Sequence, residues 1–254
     1  MTKRYDSLGE LHRVYWRWRL ALFPEDGTVT VGETTARFTV STRSERRRAK
    51  RLGGERRVIE MFLDELSGSE VVWDVGACVG TYACLIARRL SSGCVVAFEP
   101  DPTNRSRLSE NLSANAPTER WRTSAVALSD TDDESVLQSE FVEAGGGHHY
   151  LSDHRDGLPI EVRRGDSVVA SGYPAPDMLK IDVQGAELQV LRGLGGLLDG
   201  VDTIYVELHT EKSKRYGTTT DEIEAFLREE GYSLTHLGDP TNGRPGAYLV
   251  RAHR

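Results

Sequence analysis

Cysteine is scarce in this chain: three in 254 residues, without C-x-x-C spacing, argue against both a disulfide framework and a zinc site. Long apolar runs are missing as well. None approaches the ~20 residues of a membrane helix, and the first residues lack the apolar stretch of a signal peptide. These absences predict a protein of the reducing cytoplasm, with Cys78, Cys84 and Cys94 as small core residues. There is no internal repeat, so the simplest organisation is one large α/β domain with an N-terminal extension. The net charge of −7 disfavours a general nucleic-acid binder, although a local basic patch remains compatible with it. The dinucleotide fingerprint G-x-G-x-x-G is absent too.

What is present is a regular alternation of apolar runs. Strands are expected at 71–75, 95–99, 121–128, 178–183 and 203–208, and helices at 81–90, 102–114, 186–198 and 220–230. Strands alternating with helices imply a mostly parallel sheet covered on both faces. A strand after Gly231 and another at 247–251, beyond a loop at 238–246, would close it with an antiparallel pair. The expected fold is α/β, a Rossmann-like sheet of seven strands with helices on both faces, over residues 58–254.

Residues 1–57 read as an extension made of an amphipathic helix, a hairpin and a basic segment. Leu11, Val14, Tyr15, Trp18 and Leu22 fall at helical spacing, flanked by Arg13, Arg17 and Arg19. Docking on the body or on a partner subunit, as in a homo-oligomer, is favoured over a membrane surface. Residues 28–40 alternate like a hairpin, with Val29, Val31, Phe38 and Val40 inward. Arg46, Arg47, Arg48, Lys50 and Arg51 then crowd together, either as a solvated helix face or as a lip attracting an anionic acceptor. Val58, Ile59, Phe62, Leu63 and Leu66 make a helix leading into the first core strand. Residues 135–163 interrupt the alternation. Short strands at 136–141 and 160–162 would bracket Gly145-Gly146-Gly147-His148-His149, a floppy insertion or a mobile lid.

The chemistry concentrates at strand ends. Asp74-Val75-Gly76-Ala77-Cys78-Val79-Gly80 follows the first core run, and Glu99 closes the next. A strand ending in a glycine turn brings backbone N–H groups close to a ligand. A carboxylate at the next strand end can accept from both hydroxyls of a ribose. With Gly76 and Gly80 spaced as G-x-x-x-G, and Asp74 where a pyrophosphate would be repelled, a nucleoside with a cationic end fits best. S-adenosylmethionine has that character, through its amino group and sulfonium.

Three stretches together resemble a known family: Trp73 to Tyr82, then Ala97-Phe98-Glu99-Pro100, then Leu179-Lys180-Ile181-Asp182-Val183-Gln184-Gly185-Ala186-Glu187. Leu191-Arg192-Gly193, Val206-Glu207-Leu208-His209 and Asp166 continue the match in order. They resemble the FkbM family of S-adenosylmethionine-dependent methyltransferases, from about Val58 to Leu249. The resemblance implies a class I methyltransferase sheet and methyl transfer to a hydroxyl of a small molecule, sugar or glycan. Gln184 departs from the family's commoner Glu. It cannot take a proton, so no base is placed there.

Gly76, Ala77 and Gly80 are therefore expected at the methionine end of the cofactor with Asp74, Glu99 at its ribose, Pro100 near the adenine face, and either Ala125-Val126 or Ser129-Asp130 near its edge. Asp182 would hold the cofactor's amino group or touch the acceptor hydroxyl. His209 is the preferred general base, because imidazole titrates near neutral pH. Glu207, an acid inside a strand, is either an ion-pair member or a substrate contact. Asp182, Glu207 and His209 could together hold Mg²⁺, but hard cations prefer more carboxylates, so no metal is assigned. Glu187 is read as favouring its helix N-terminus. No Asn/Asp-Pro-Pro-Tyr stretch and no Pro-Cys nucleophile is present, which argues against methylation of base amino groups or cytosine carbon. RNA methylation, from the basic run, and cofactor binding without turnover, from Gln184, are the alternatives.

Overall fold

A computed structural model describes residues 25–139, 144–146, 149–152, 157–237 and 246–254, together with Tyr15 and Arg19. The expected N-terminal helix, Gly147-His148 and all but the end of the 238–246 loop lie outside the described residues.

The hairpin comes first, β1 (Glu25–Val31) and β2 (Thr34–Val40), then the basic helix α1 (Arg43–Arg51) and α2 (Arg56–Asp64). Alternation follows through β3 (Val71–Val75), α3 (Thr81–Arg89), β4 (Cys94–Phe98), α4 (Pro102–Asn115) and β5 (Trp121–Ser124). Short strands β6 (Ala127–Leu128), β7 (Asp133–Ser139), β8 (His149–Ser152) and β9 (Leu158–Arg163) come next. The rest of the chain is α5 (Gly165–Ala170), β10 (Met178–Ile181), α6 (Glu187–Leu194), β11 (Thr203–His209), α7 (Thr210–Ser213), α8 (Thr220–Glu229), β12 (Ser233–Leu237) and β13 (Ala247–His253).

Seven strands form the central sheet in the order β12-β13-β11-β10-β3-β4-β5. β5, β4, β3, β10 and β11 run parallel, and β13 is antiparallel to both of its neighbours. This is the expected Rossmann-like architecture. Both faces are covered, which is why its central strands read as almost unbroken apolar runs. One face packs Leu85, Ile86 and Phe62 against Val29, Val31 and Phe38 of the hairpin. The other buries Trp73, Phe98, Leu191 and Leu227. Each such side chain fully buried contributes about 1.5–3 kcal/mol. The four inward hairpin residues expected from alternation are buried, and Ala36 joins them.

Three elements differ from expectation. The strand expected at 121–128 breaks after Ser124, the register partner of Phe98. Beyond Phe98 the neighbouring chain offers Glu99 and then Pro100, which has no N–H to continue a ladder. β6 therefore pairs with β9, in a separate four-stranded sheet ordered β6-β9-β7-β8. The helix expected at 186–198 ends at Leu194, where Gly195 leaves the helical region (φ 52°, ψ −132°) and a 3₁₀ turn takes over. The insertion also has more strand than expected, because β8 adds to β7. It is tied to the body: Leu151 N–H donates to Tyr216 Oη at 2.9 Å, and the Arg215 guanidinium lies 3.6 Å from the Tyr150 ring centroid. Among the described residues, no helix is long and apolar enough to cross a membrane.

Candidate active site

The parallel strands deliver their carboxyl ends to one edge, and the turn after β3 forms its floor. Gly76, Cys78 and Gly80 all have positive φ (84°, 52° and 90°). At Gly76 nothing larger fits, since a Cβ would stand 2.0 Å from the Asp182 carbonyl oxygen. The N–H groups of Gly76 and Ala77 donate to Phe98 O at 3.1 and 3.0 Å, which sews the turn onto β4. Asp74 accepts from Ala83 N–H at 3.0 Å and so anchors the first turn of α3, whose N-cap, Gly80, has no side chain to do so. Glu99 accepts from Cys78 N–H at 2.8 Å and from Asp101 N–H at 2.9 Å. Burial pushes Asp74 up to about 6, against the pull of Lys180, and Glu99 up to about 7. Pro100 sits half-buried beside Glu99, and Val126 lies at the bend between β5 and β6.

A second cluster stands at the ends of β10 and β11. Lys180 is the register neighbour of Asp74, and its Nζ lies 3.4 Å from Asp182 Oδ2 and 4.9 Å from the Tyr82 ring centroid. Burial works against its charge, but Asp182 and Asp74 outweigh burial and raise its proton affinity. For Asp182 the balance runs the other way. Burial alone would raise it, yet Lys180, His209 and the Gln184 amide hold it well below the usual carboxylate range. Burial pushes Glu207 up to about 7, aided by the Asp182 charge.

His209 is 3 % exposed, and its Nδ1 meets Glu187 Oε1 at 2.9 Å. The same Glu187 oxygen accepts from Gly185 N–H at 2.9 Å. The opposite ring nitrogen, Nε2, faces the Gln184 amide at 3.2 Å and Asp182 Oδ1 at 3.8 Å. Burial would lower the imidazole's proton affinity, but the Glu187 bond and the charges of Asp182, Glu187 and Glu207 raise it. Gln184 itself has a φ of 59° and donates to Asp182 Oδ1 at 2.6 Å, while Lys212 donates to its Oε1. Asp182, Glu207 and His209 offer ligand atoms within 4.8 Å of one another, close enough to bridge a cation. Lys180 and the Gln184 amide already oppose the charge of Asp182 there.

A buried strap crosses the same edge. Asn104, itself 1 % exposed, pairs with it as a peptide would: Oδ1 accepts from Gly145 N–H at 2.9 Å and Nδ2 donates to Gly146 O at 3.1 Å. Thr42 Oγ1 donates to Ala144 O at 2.7 Å, and Arg48 Nε donates to Gly145 O at 2.9 Å. Cys78 Sγ lies 3.5 Å from Gly146 O.

The structure thus brings Asp74, Gly76, Ala77, Gly80, Glu99, Pro100, Asp182, Glu207 and His209 to one sheet edge. Asp166 is elsewhere, in a surface ion pair with Arg164 at 2.9 Å. Lys180, Glu187 and the strap are absent from the sequence-derived site. Lys180 had a signal, a lysine inside an otherwise apolar central strand. Glu187 does more than open its helix, since it orients His209.

Comparisons with known proteins bear on the family and the fold. A model of the methyltransferase FkbM domain matches residues 74–234. Hexuronic acid methyltransferase AglP of Haloferax volcanii is 38 % identical over 179 residues, which cover 68 % of this chain and 70 % of that protein. Methyltransferase sdnD of Sordaria araneosa is 26 % identical over 216 residues, 69 % of this chain and 81 % of that one. Among solved structures, magnesium protoporphyrin IX methyltransferase (ChlM) from Synechocystis PCC 6803, with bound S-adenosylmethionine, shares the fold. Its TM-score is 0.50 at 13 % identity, with 100 % of both chains covered.

Proposed function

Because the chain belongs to the FkbM family and is an S-adenosylmethionine-dependent methyltransferase, we propose that it methylates a hydroxyl oxygen of a sugar, glycan or other small-molecule acceptor. The observation that carries this reading is His209, fixed at Nδ1 by Glu187 and presenting Nε2 beside Asp182 at the edge of the glycine cradle. The cofactor fits the residues present. The cradle admits only glycine at Gly76, and the buried carboxylate of Glu99 and the half-buried one of Asp182 suit a ribose and a cationic amino-acid end.

When bound, S-adenosylmethionine supplies a methyl group on a sulfonium, which needs no further activation as a leaving group. The chain then has to orient an oxygen and remove its proton. Gly76, Ala77 and Gly80 shape the methionine end, with Asp74 holding the turn from beneath. Glu99 takes the ribose hydroxyls, and Pro100 and Val126 border the adenine. Asp182 faces both the cofactor's ammonium and the acceptor hydroxyl, and His209 receives the hydroxyl's proton at Nε2 once the acceptor displaces the Gln184 amide from it. The surrounding carboxylates raise the imidazole's affinity for that proton. Glu207, at 4.0 Å from the ring, stabilises the imidazolium that forms. No step requires a metal ion.

A sugar acceptor is supported by the relative named for hexuronic acid. A uronic acid offers hydroxyls and a carboxylate, so the product must be tested for its linkage. The experiment incubates the protein with labelled cofactor and a panel of neutral and acidic sugars, then treats each product with mild alkali. An alkali-stable methyl ether is expected. Label found only in an alkali-labile methyl ester would sink the hydroxyl assignment.

A further inference from the structure

We infer that Arg48, on the basic helix ahead of the matched domain, binds the cofactor, its guanidinium holding the carboxylate of the methionine end. The methionine end carries an ammonium and a carboxylate, and the assignments above engage only its positive charge. Four acids, Asp74, Glu99, Asp182 and Glu207, line the edge, so a carboxylate entering there needs a cation of its own. Lys180 lies under the site against Asp182, Lys212 is bonded to Gln184, and His209 is held by Glu187.

Arg48 is placed differently. Helix α1 sets Arg43, Arg47 and Lys50 in solvent on one face. The opposite face is pinned by the Thr42–Glu45 capping box, by the Glu45–Arg107 ion pair at 2.7 Å and by buried Leu52. Arg48 turns inward with it, and lines one pocket together with Val79 of the glycine turn and Thr81, which opens α3. Its Nε donates to Gly145 O, one residue from the carbonyl that meets Cys78 Sγ. That bond fixes the plane of the guanidinium and directs the rest of its fork, the geometry that matches a carboxylate bidentately. The Arg48 charge also reaches the site electrostatically, since it lowers the proton affinity of Cys78, Glu99 and Asp182. The segment read from sequence as a solvated face or an anion-attracting lip thus has a half-buried member directed at the cofactor.

Titration calorimetry on the full chain tests this with S-adenosylmethionine and its decarboxylated analogue, which keeps the ammonium and sulfonium. The wild type should bind the intact cofactor at least tenfold more tightly. Arg48→Gln should lose about that factor on the intact cofactor and bind the analogue as the wild type does, while Arg48→Lys should fall between. Asn104→Ala, which loosens the strap and leaves the charge, should weaken both ligands alike. Equal weakening of both ligands by Arg48→Gln would reduce Arg48 to a strap holder and overturn the inference. So would unchanged cofactor discrimination with a raised KM confined to acidic acceptors, which would assign the arginine to the acceptor. Failure of the hydroxyl assignment would leave these binding results untouched.

Discussion

Gln184 shows how much a single side chain can decide here. Its amide donates to Asp182 and meets the His209 nitrogen that Glu187 leaves open, so an acceptor hydroxyl would have to displace that amide to reach the imidazole lone pair. Replacing His209 by Gln should lower kcat by ~100-fold or more while the affinity for S-adenosylhomocysteine stays within about twofold. A matching loss of affinity would make His209 structural. Glu99 carries a pH prediction. Only its ionised form accepts from both ribose hydroxyls without an O–H of its own in the way, and burial raises it to about 7, so cofactor affinity should rise with pH. Between pH 6 and 8 the gain should be about tenfold, and calorimetry on Glu99→Gln should find it gone. The acids and glycines at strand ends were legible in the sequence, because turns and carboxylates announce themselves locally. The Lys180–Asp74 juxtaposition and the Glu187–His209 bond were not, since they join residues on different strands and loops that only the tertiary fold brings together.

Helix α4 looks ordinary in sequence, with Asp101 as N-cap and Pro102 opening its first turn. Its apolar stripe is weak because a row of buried asparagines takes its place. Asn111 donates to Val79 O at 2.8 Å and accepts from Thr39 N–H at 3.0 Å. Asn115 pairs with both backbone groups of Arg37, and Asn104 pairs with the strap. The helix therefore acts as a surrogate strand for β2 and for Ala144–Gly146. Asn111→Ala leaves two buried groups unpaired, and chemical denaturation should show a loss of ~2–4 kcal/mol. Gly193 shows the opposite economy: a Cβ there would lie 1.8 Å from Ser129 O. Gly193→Ala should force α6 away from the turn after β6 and leave little soluble protein. Most helices and strands were readable from period and punctuation. The break at Ser124 was not, because it depends on what the adjacent chain can no longer donate.

Across the whole molecule, the buried acids make stability depend on pH in a definite direction. Burial raises Asp74 to about 6, and Glu99 and Glu207 to about 7, and their neighbours raise His209. Groups raised on folding stabilise fully at low pH and lose that contribution as pH climbs through the raised values. Asp182, lowered on folding, works in the other direction only below the ordinary carboxylate range. The ligand-free protein should thus be more stable at pH 6 than at pH 8, by ~2 kcal/mol or about 5 °C in Tm. A scanning-calorimetry series with a flat or inverted trend would show that these carboxylates have other partners.

β13 has a consequence for how the protein can be divided. It lies outside the matched segment 74–234, yet it is the strand between β11 and β12. The hairpin, also outside, roofs one apolar flank of the central sheet. A fragment trimmed to the recognisable module would cut β3 and β12 short, leave β11 without its β13 neighbour and bare greasy surface to water. The matched segment, expressed alone, should therefore fail to give a folded protein.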